Sequence, residues 1–261
     1  MASSSEHKKR GYRPPCNDEE RLLVRRVSQL AMGAVYGGVK KIGFLSDREL
    51  ELALAAGNAS GAAMRAFGGY ESAERCVLAF SDCEENLCDE VFEIGCVRIE
   101  AGAEAKRLTH RDYLGALMAL GLTRETLGDI LPDEKGAFVY ARRVAVQCIL
   151  NELTGVGRCT VHCEESVQQP VQQEHRTERT ASVASLRLDA VLSAMLRVSR
   201  SEAGALIRAG AVSINHVQTA RQHEAMYEND VVRVKGYGKY ELCAVGAQSK
   251  KGRTFITYCQ F

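Results

Sequence analysis

Apolar residues recur at helical spacing through the first quarter of the chain. In DEERLLVRRVSQLAMGAVYG, positions 22, 23, 27, 30 and 31 follow the spacing of an amphipathic helix. Ser46 followed by Glu49 forms a capping box ahead of RELELALAAG, and Gly57 suits the end of that second helix. The pattern therefore predicts an N-terminal helical region over residues 1–75.

The period changes over residues 76–165, where strand-like runs alternate with two helical ones. CVLAF and EVFEIGCVRIEA read as strands, HRDYLGALMALG as a helix, DILPDEKGAFVYA as a hairpin, RRVAVQCILNEL as a second helix and RCTVHCEE as a last strand. This order favours an antiparallel sheet with two helices on one face. The fold class predicted is α+β, with a central α/β plait of the RRM-like kind, a fold that alone does not decide function.

Two further segments follow. Residues 166–181, SVQQPVQQEHRTERTA, are polar and Gln-rich without an apolar period, which predicts a linker. Residues 182–261 begin with a helix in SLRLDAVLSAMLRV, continue into SRSEAGALIRAGAVSIN, and end with the strand-like runs DVVRVKGYGKYELCAV and RTFITYCQF. We expect a compact unit of two short helices followed by a small bent sheet.

The second of these helices separates apolar from polar positions. Ser199 and Glu202 form a capping box at its start, and Gly210 suits its end. Ala203, Leu206 and Ile207 share one face. The side away from them carries Arg200, Ser201, Gly204 and Arg208. A basic flank with a glycine suits a phosphate backbone lying against it, and a solvated surface with two chance arginines is the alternative.

Charge is unevenly distributed. The chain has a formal net charge of +1, but residues 182–261 hold eleven Lys and Arg against six Asp and Glu, a net charge of +5. The preceding 181 residues are net negative. A local excess of positive charge in the last third is the electrostatic pattern of a nucleic-acid-binding module.

The ten cysteines do not have metal-site spacing. No C-x-x-C pair occurs, and His162 beside Cys163 is the one close His–Cys pair, within a strand-like run. We therefore expect reduced packing thiols, no metal, no cofactor and a cytoplasmic location. The start, MASSSEHKKRGYRPPC, lacks the apolar run of a secretory signal and is expected to be a disordered arm, and no segment has membrane-spanning length.

A kinase-like triplet occurs at His110-Arg111-Asp112, but no glycine-rich ATP loop precedes it and no Asp-Phe-Gly follows. Thr109 and Asp112 instead form a helix-start capping box. His110 and Arg111 would then project from a helix N-terminus, where they are able to contact an anionic partner.

The last third resembles the S4-type RNA-binding domain. The matching positions lie in Arg187-Leu188-Asp189, Ser199-Arg200-Ser201, Leu206 to Gly210, Val212, Ile214-Asn215 and Asp230. The resemblance implies that the arginines of the helix pair contact RNA and that the two serines cap the helix and offer hydroxyls. Tyr237 in KGYGKY is a possible stacking residue, although such hairpin tyrosines are more often structural. The candidate RNA-binding residues in this region are Arg187, Asp189, Ser199, Arg200, Ser201, Arg208, Asn215, Lys235 and Lys239.

The resemblance extends to the rest of the chain. FLSDRE, GGYESAER, LTHRDYLGALMALGLTRETLGDI and VGRC are similar to the YlmH family of bacterial S4-domain proteins. That resemblance implies a non-enzymatic factor that binds rRNA and tRNA at the large ribosomal subunit, in rescue of stalled nascent chains, and a link to the cell-division gene cluster. It also implies an RNA-binding central domain, where the candidates are His110, Arg111 and Arg124.

A second hypothesis is an RNA-modifying enzyme, such as a pseudouridine synthase or a methyltransferase, that an S4 unit tethers to its substrate. Such enzymes need a catalytic acid in a recognisable loop or a glycine-rich cofactor turn after a strand. The central segment of about ninety residues shows neither. Binding without chemistry, with no membrane and no small-molecule substrate, is the preferred interpretation.

Overall fold

The computed structural model describes residues 13–167, 177–249 and 252–261. Within these ranges the chain divides into two compact units, one formed by residues 14–167 and the other by Arg13 with the residues from 177 onward. The predicted arm up to residue 12 and the part of the predicted linker from 168 to 176 lie outside the described residues. No described helix is long and apolar enough to cross a membrane.

The first unit opens with a small sheet and two helices. Its sheet has the antiparallel order β1-β3-β2. The elements are α1 (Asp18–Val35), β1 (Lys40–Leu45), α2 (Asp47–Asn58), β2 (Ala63–Phe67) and β3 (Cys76–Ser81). This corrects the expectation of a purely helical region over residues 1–75. It also moves CVLAF out of the central domain, because β3 is the middle strand of this sheet.

Local signals at the helix starts are confirmed. The Asn17 side chain accepts a hydrogen bond from the backbone N–H of Glu20 at 2.8 Å, and the capping box of Ser46 and Glu49 is present. Val27 of α1 and Ala53 of α2 share one core with Phe80 of β3, so both helices pack against the sheet. Strand β2 escaped the sequence pattern because all five of its residues are half-buried, so no alternation marks it.

The first unit also contains a four-stranded antiparallel sheet, in the order β5-β6-β4-β9. Side chains of both helices, such as Tyr113 and Ile149, share one core with the strands, so both helices cover the same face. The elements are β4 (Ile94–Glu100), α3 (His110–Ala119), β5 (Leu127–Pro132), β6 (Gly136–Arg142), α4 (Arg143–Glu152), β7 (Gly155–Val156), β8 (Cys159–Thr160) and β9 (His162–Ser166).

A buried carboxylate ties the segment 68–75 to this sheet. Asp129 accepts hydrogen bonds from the Tyr70 hydroxyl at 2.8 Å and from the backbone N–H groups of Glu74 at 2.7 Å and Arg75 at 3.1 Å. Burial raises the pKa of Asp129 even though these donors favour its charged form. The ring of Tyr70 stacks on Tyr140, with 4.7 Å between ring centroids. The motifs GGYESAER and GDI are therefore two halves of one structural contact.

The second unit contains two helices and a six-stranded antiparallel sheet, ordered β10-β15-β14-β13-β11-β12. Its core lies between the helices and one sheet face and includes Leu188, Ile207 and Tyr258. The elements are β10 (Thr177–Val183), α5 (Leu188–Leu196), α6 (Arg200–Arg208), β11 (Val212–Ile214), β12 (Val217–Gln218), β13 (Val231–Val234), β14 (Gly238–Gln248) and β15 (Thr254–Gln260). Residues 177–181, expected in a linker, instead belong to β10, because they pair with β15 along its whole length.

Replacing Asp129 by Ala is expected to destabilise the first unit by about 2–5 kcal/mol, because one buried and two part-buried donors lose their acceptor at once. Tyr70→Phe, which removes a single donor, is expected to cost about 1 kcal/mol. Hydrogen exchange of residues 68–75 in the full chain measures both effects. Glu134→Ala, at an 86% exposed side chain, is the control. Equal protection in Asp129→Ala and the control would show that the carboxylate does not hold this segment.

Candidate nucleic-acid interface

The start of α6 is fixed by its predicted capping box. The Ser199 hydroxyl accepts a hydrogen bond from the backbone N–H of Glu202 at 3.2 Å, and the Glu202 carboxylate accepts one from the backbone N–H of Ser199 at 2.8 Å. These hydrogen bonds lower the pKa of Glu202. The box places Arg200 as the first residue of the helix, with exposed Ser201 beside it. A local sequence signal thus sets the position of a charged side chain.

Arg200 and Arg187 converge on one carboxylate. Arg187 donates to Asp189 from Nε at 3.2 Å and from Nη2 at 3.0 Å, and Arg200 donates to it from Nε at 3.0 Å and from Nη2 at 3.1 Å. The Asp189 side chain is 6% exposed, whereas the side chains of Arg187 and Arg200 are 39% and 49% exposed. Burial acts to raise the pKa of Asp189, but the two guanidinium groups outweigh it and lower that pKa. We call these three residues the S4 charge cluster.

The S4 charge cluster has a net charge of +1 and presents its positive members to solvent. Each carboxylate oxygen of Asp189 accepts one hydrogen bond from each arginine, which fills the acceptor positions of the group. Asp189 is therefore a positioning residue. Its contact with RNA stays a prediction, and its burial and its occupied acceptors favour the positioning role. Arg187 and Arg200 retain exposed surface for an anion.

A loop that sequence reasoning missed completes the cluster. The backbone N–H of Asp189 donates to the carbonyl of Gln222 at 3.0 Å, which brings residues 221–225 alongside the start of α5. His223 in this loop contacts Nη2 of Arg187 and lies 3.9 Å from Asp189. Exposed Arg221 adds a further cation. The segment TARQHEAMYEND has no periodic pattern, so nothing in the sequence placed it here.

Gly204 differs from its predicted role. The sequence placed it on the exposed basic flank, but it is buried in α6. A Cβ at this position would lie 3.1 Å from Oε1 of Gln222, so the missing side chain lets the loop approach the helix. The glycine therefore supports packing of the loop that carries His223, and it is not an opening in the surface.

The far end of α6 joins the β13–β14 hairpin. Arg208 is exposed and forms no ion pair with any described residue. The backbone N–H of Lys235 donates to the carbonyl of Ala211 at 2.9 Å, which places this exposed lysine next to the end of the helix. The ammonium group of Lys239 lies 4.9 Å from the ring centroid of Phe261. Arg208, Lys235 and Lys239 thus carry the basic surface beyond the S4 charge cluster.

Asn215 has a structural role that the sequence did not reveal. It adopts the left-handed conformation at φ +46°, donates from its side chain to Asp230 at 2.9 Å and accepts from the backbone N–H of Val231 at 2.8 Å. Its amide joins two strands, and its contact with RNA stays a prediction.

His110 and Arg124 lie close to each other within the first unit. Desolvation and the charge of Arg124 lower the pKa of His110. The capping box of Thr109 and Asp112 is confirmed. Arg111 is exposed and forms no ion pair with any described residue. His110 and Arg124 therefore lie near each other, and exposed Arg111 follows His110 at the start of α3.

The sheet face opposite the helices of the first unit is acidic. A cleft of about 430 Å³ on it is lined by Arg98, Asp133, Glu100 and Glu164, together with Lys135. Arg98 is held by Asp133 through two hydrogen bonds of 2.7 and 3.0 Å and packs over the Phe138 ring at 4.5 Å. Carboxylates outnumber cations in the lining of this cleft, which disfavours a phosphate there.

Two family models match the chain at these units. Residues 186–218 match the S4 domain, and residues 88–169 match a model described as "Putative RNA-binding domain in YlmH". The fold and the basic helix pair thus define an RNA-binding protein of the S4 class. The chain thus contains a region similar to the RNA-binding domain of YlmH and, after it, an S4 domain.

The chain is also similar to one curated relative and to one solved structure. The chain is 27% identical over 225 residues to the "Ribosome-associated protein quality control protein P2" of Bacillus subtilis (strain 168), an alignment covering 84% of this chain and 86% of that protein. It is also similar to the structure of "Cell division protein ylmH from Streptococcus pneumoniae", with a TM-score of 0.51 and 22% identity over 60% of this chain and 96% of that one. The structural likeness shows the shared fold of the covered part.

Replacing Asp189 by Asn is expected to destabilise α5 and α6 by about 1–3 kcal/mol at neutral pH, because charge-assisted hydrogen bonds to both arginines are weakened. Since folding lowers the pKa of Asp189, the stabilisation is present above the unfolded value of about 3.9 and is lost as pH falls through the folded value. Hydrogen exchange of the two helices across pH is the measurement, with Glu178→Gln as an exposed control. A wild-type advantage that persists unchanged at pH 3, or that is absent at pH 7, would contradict the role of the carboxylate.

Proposed function

We propose that this protein is a non-enzymatic factor that docks on structured RNA through the S4 charge cluster and the basic surface beyond it. The observation that carries the proposal is the geometry at Asp189, which holds Arg187 and Arg200 in fixed positions while roughly half of each guanidinium-bearing side chain remains exposed. Helical RNA hides its base edges in a deep, narrow groove. Preset cations at fixed spacing therefore recognise the backbone and its shape.

The spacing along α6 supports two separate phosphate contacts. Arg200 and Arg208 are eight residues apart, which corresponds to about 12 Å along a helix axis. Ser199 and Ser201 add exposed hydroxyls beside the first of these arginines. In this proposal, Lys235 and Lys239 extend the contact with the RNA backbone along the hairpin.

We propose that the first unit also binds RNA. The order β5-β6-β4-β9, with both helices on one face, supports an α/β-plait domain over this region. Its acidic sheet face argues against the RNA surface that such folds often use. We therefore assign the RNA contact of this unit to the edge formed by His110, Arg111 and Arg124.

The biological setting follows from the relatives. Because the Bacillus subtilis protein is named for ribosome-associated quality control, we propose that this chain binds rRNA and tRNA at the large ribosomal subunit, with peptidyl-tRNA, during rescue of stalled nascent chains in the cytoplasm. Isolated large subunits carrying peptidyl-tRNA are expected to bind the protein, whereas empty subunits bind it more weakly. Equal binding to small subunits, or a modified base found by mass mapping of the bound RNA, would argue against this proposal.

Arg200→Ala and Arg208→Ala are each expected to weaken RNA binding and to reduce the slope of log affinity against log salt by about 0.7–0.9, the contribution of one phosphate contact. Fluorescence anisotropy with a labelled rRNA stem–loop at several salt concentrations is the measurement. Arg200→Lys is expected to recover less than half of the loss in binding free energy, because a single ammonium group cannot hold Asp189 and a phosphate together.

Arg21→Ala is the matched control, since Arg21 is an exposed arginine of α1 paired with Asp18. Circular dichroism of each variant checks that the fold is retained. An unchanged salt slope in both α6 variants would mean that this helix does not face the RNA backbone.

The triple variant His110→Ala, Arg111→Ala, Arg124→Ala is expected to weaken binding to large subunits while leaving binding to the stem–loop recognised by the second unit unchanged. The physical reason is that Arg111 and Arg124 are cations of the first unit and act on a different part of the RNA. A matched triple variant of the acidic face, Glu100→Gln, Glu164→Gln, Lys135→Ala, should have little effect. The opposite ranking of the two triple variants in a subunit pelleting assay would place the RNA on the sheet face.

A further inference from the structure

The tip of the β13–β14 hairpin carries exposed aromatic groups that the helix pair does not use. The Tyr237 side chain is 44% exposed, and Phe261, at the end of the neighbouring strand, is 39% exposed. The backbone N–H of Phe261 donates to the carbonyl of Lys239 at 3.1 Å, so the second aromatic group is held beside the hairpin. Large exposed rings at one place on a small unit call for an explanation beyond core packing.

The backbone around Tyr237 is fixed although its ring is exposed. Its N–H donates to the carbonyl of Val234 at 3.0 Å, and its carbonyl accepts a hydrogen bond from the hydroxyl of Tyr240 at 3.2 Å. Gly236 and Gly238 on either side adopt φ values of +87° and +106°, a region that favours glycine. The turn therefore presents the ring from a preset position, which lowers the ordering cost of binding a flat partner.

The charges around the ring point to an anionic partner. Arg233 lies directly opposite Lys239 in the strand register, an arrangement of like charges that destabilises a bare sheet. Arg233 and Lys235 form no ion pair with any described residue, and Glu241 is the acidic group nearest along the strand. Three cations against one acid, beside an exposed ring, match a nucleotide, which has both a phosphate and a flat base.

We propose that Tyr237 stacks on an unpaired nucleobase of the bound RNA, with Phe261 beside it and Arg233, Lys235 and Lys239 holding the flanking phosphates. The inference rests on the proposed function and adds a ligand class to it: RNA with a nucleotide outside the helix, in a loop, bulge or single-stranded end. Lys235 adjoins Ala211 just beyond α6, so the base site is continuous with the helix-pair surface.

The test uses the full-length protein and two labelled RNAs, a stem–loop with an all-adenine loop and the same stem with an abasic loop. Tyr237→Ala is expected to weaken binding of the first RNA by about five- to a hundredfold, the range for loss of one stacked base, and to leave the second unchanged. The salt slope should stay at the wild-type value, because no phosphate contact is removed. Tyr237→Phe should bind as the wild type does.

A spectroscopic arm reports on stacking itself. The chain contains no tryptophan, so Tyr237→Trp introduces a single tryptophan whose emission should be quenched by the adenine loop and not by the abasic loop. Phe255→Trp, at a 51% exposed phenylalanine of β15 in the same unit, is the matched control and should show no loop-dependent quenching.

The outcomes separate the two proposals. Wild-type binding of both RNAs with equal affinity, or equal losses for Tyr237→Ala on both, would overturn the stacking site and leave RNA docking by the helix pair standing. Failure of the wild type to bind either RNA would overturn the proposed function, and the stacking site with it. A loop-dependent loss confined to Tyr237→Ala, together with quenching at position 237 alone, supports the stacking site.

Discussion

One buried carboxylate organises the surface on which the second unit depends. Asp189 accepts four hydrogen bonds from Arg187 and Arg200, and its burial would be unfavourable without them. The pair of arginines more than offsets that desolvation, as the lowered pKa of Asp189 shows. Because the two cations exceed the single anion, the arrangement is both a structural tie between two helices and a positively charged surface. The carboxylate of Asp189 thus leaves the surface positively charged and holds its two arginines in place.

The first unit uses a buried aspartate for a different purpose. Asp129 is bound by a tyrosine hydroxyl and two backbone N–H groups and forms no ion pair with a described residue, and burial raises its pKa. It joins segments more than fifty residues apart, and its contacts lie inside the unit. The acidic face of the same sheet carries Arg98 already paired with Asp133. Both aspartates are buried, and they differ in their hydrogen-bond donors. Two arginines bind Asp189 and form a charged surface, whereas a hydroxyl and two backbone N–H groups bind Asp129 inside the unit.

The sequence was most informative where structure is local. The capping boxes at Ser46, Thr109 and Ser199 depend on residues three apart, and all three are present. The S4 and YlmH assignments were confirmed because their motifs are extended runs. Pairing between strands could not be predicted in this way, because it depends on partners far apart in the chain. Strand β3 lies between β1 and β2, and residues 177–181 pair with β15. The role of Asp189 was missed for the same reason, since it depends on Arg200, eleven residues later, and on Gln222.

The way each arginine is bound explains why this position calls for guanidinium groups. Arg187 and Arg200 both approach Asp189 side-on, through Nε and Nη2. A guanidinium carries five N–H donors in a rigid plane, so this mode of pairing leaves the Nη1 end directed away from the carboxylate. The same side chain is then able to bind an internal anion at one edge and an external one at the other. The ammonium group of a lysine is a point charge without two separate edges. It would have to release the carboxylate in order to bind a phosphate. The geometry thus links the stability of the helix pair to its capacity to bind phosphate, and both depend on the same two planar side chains.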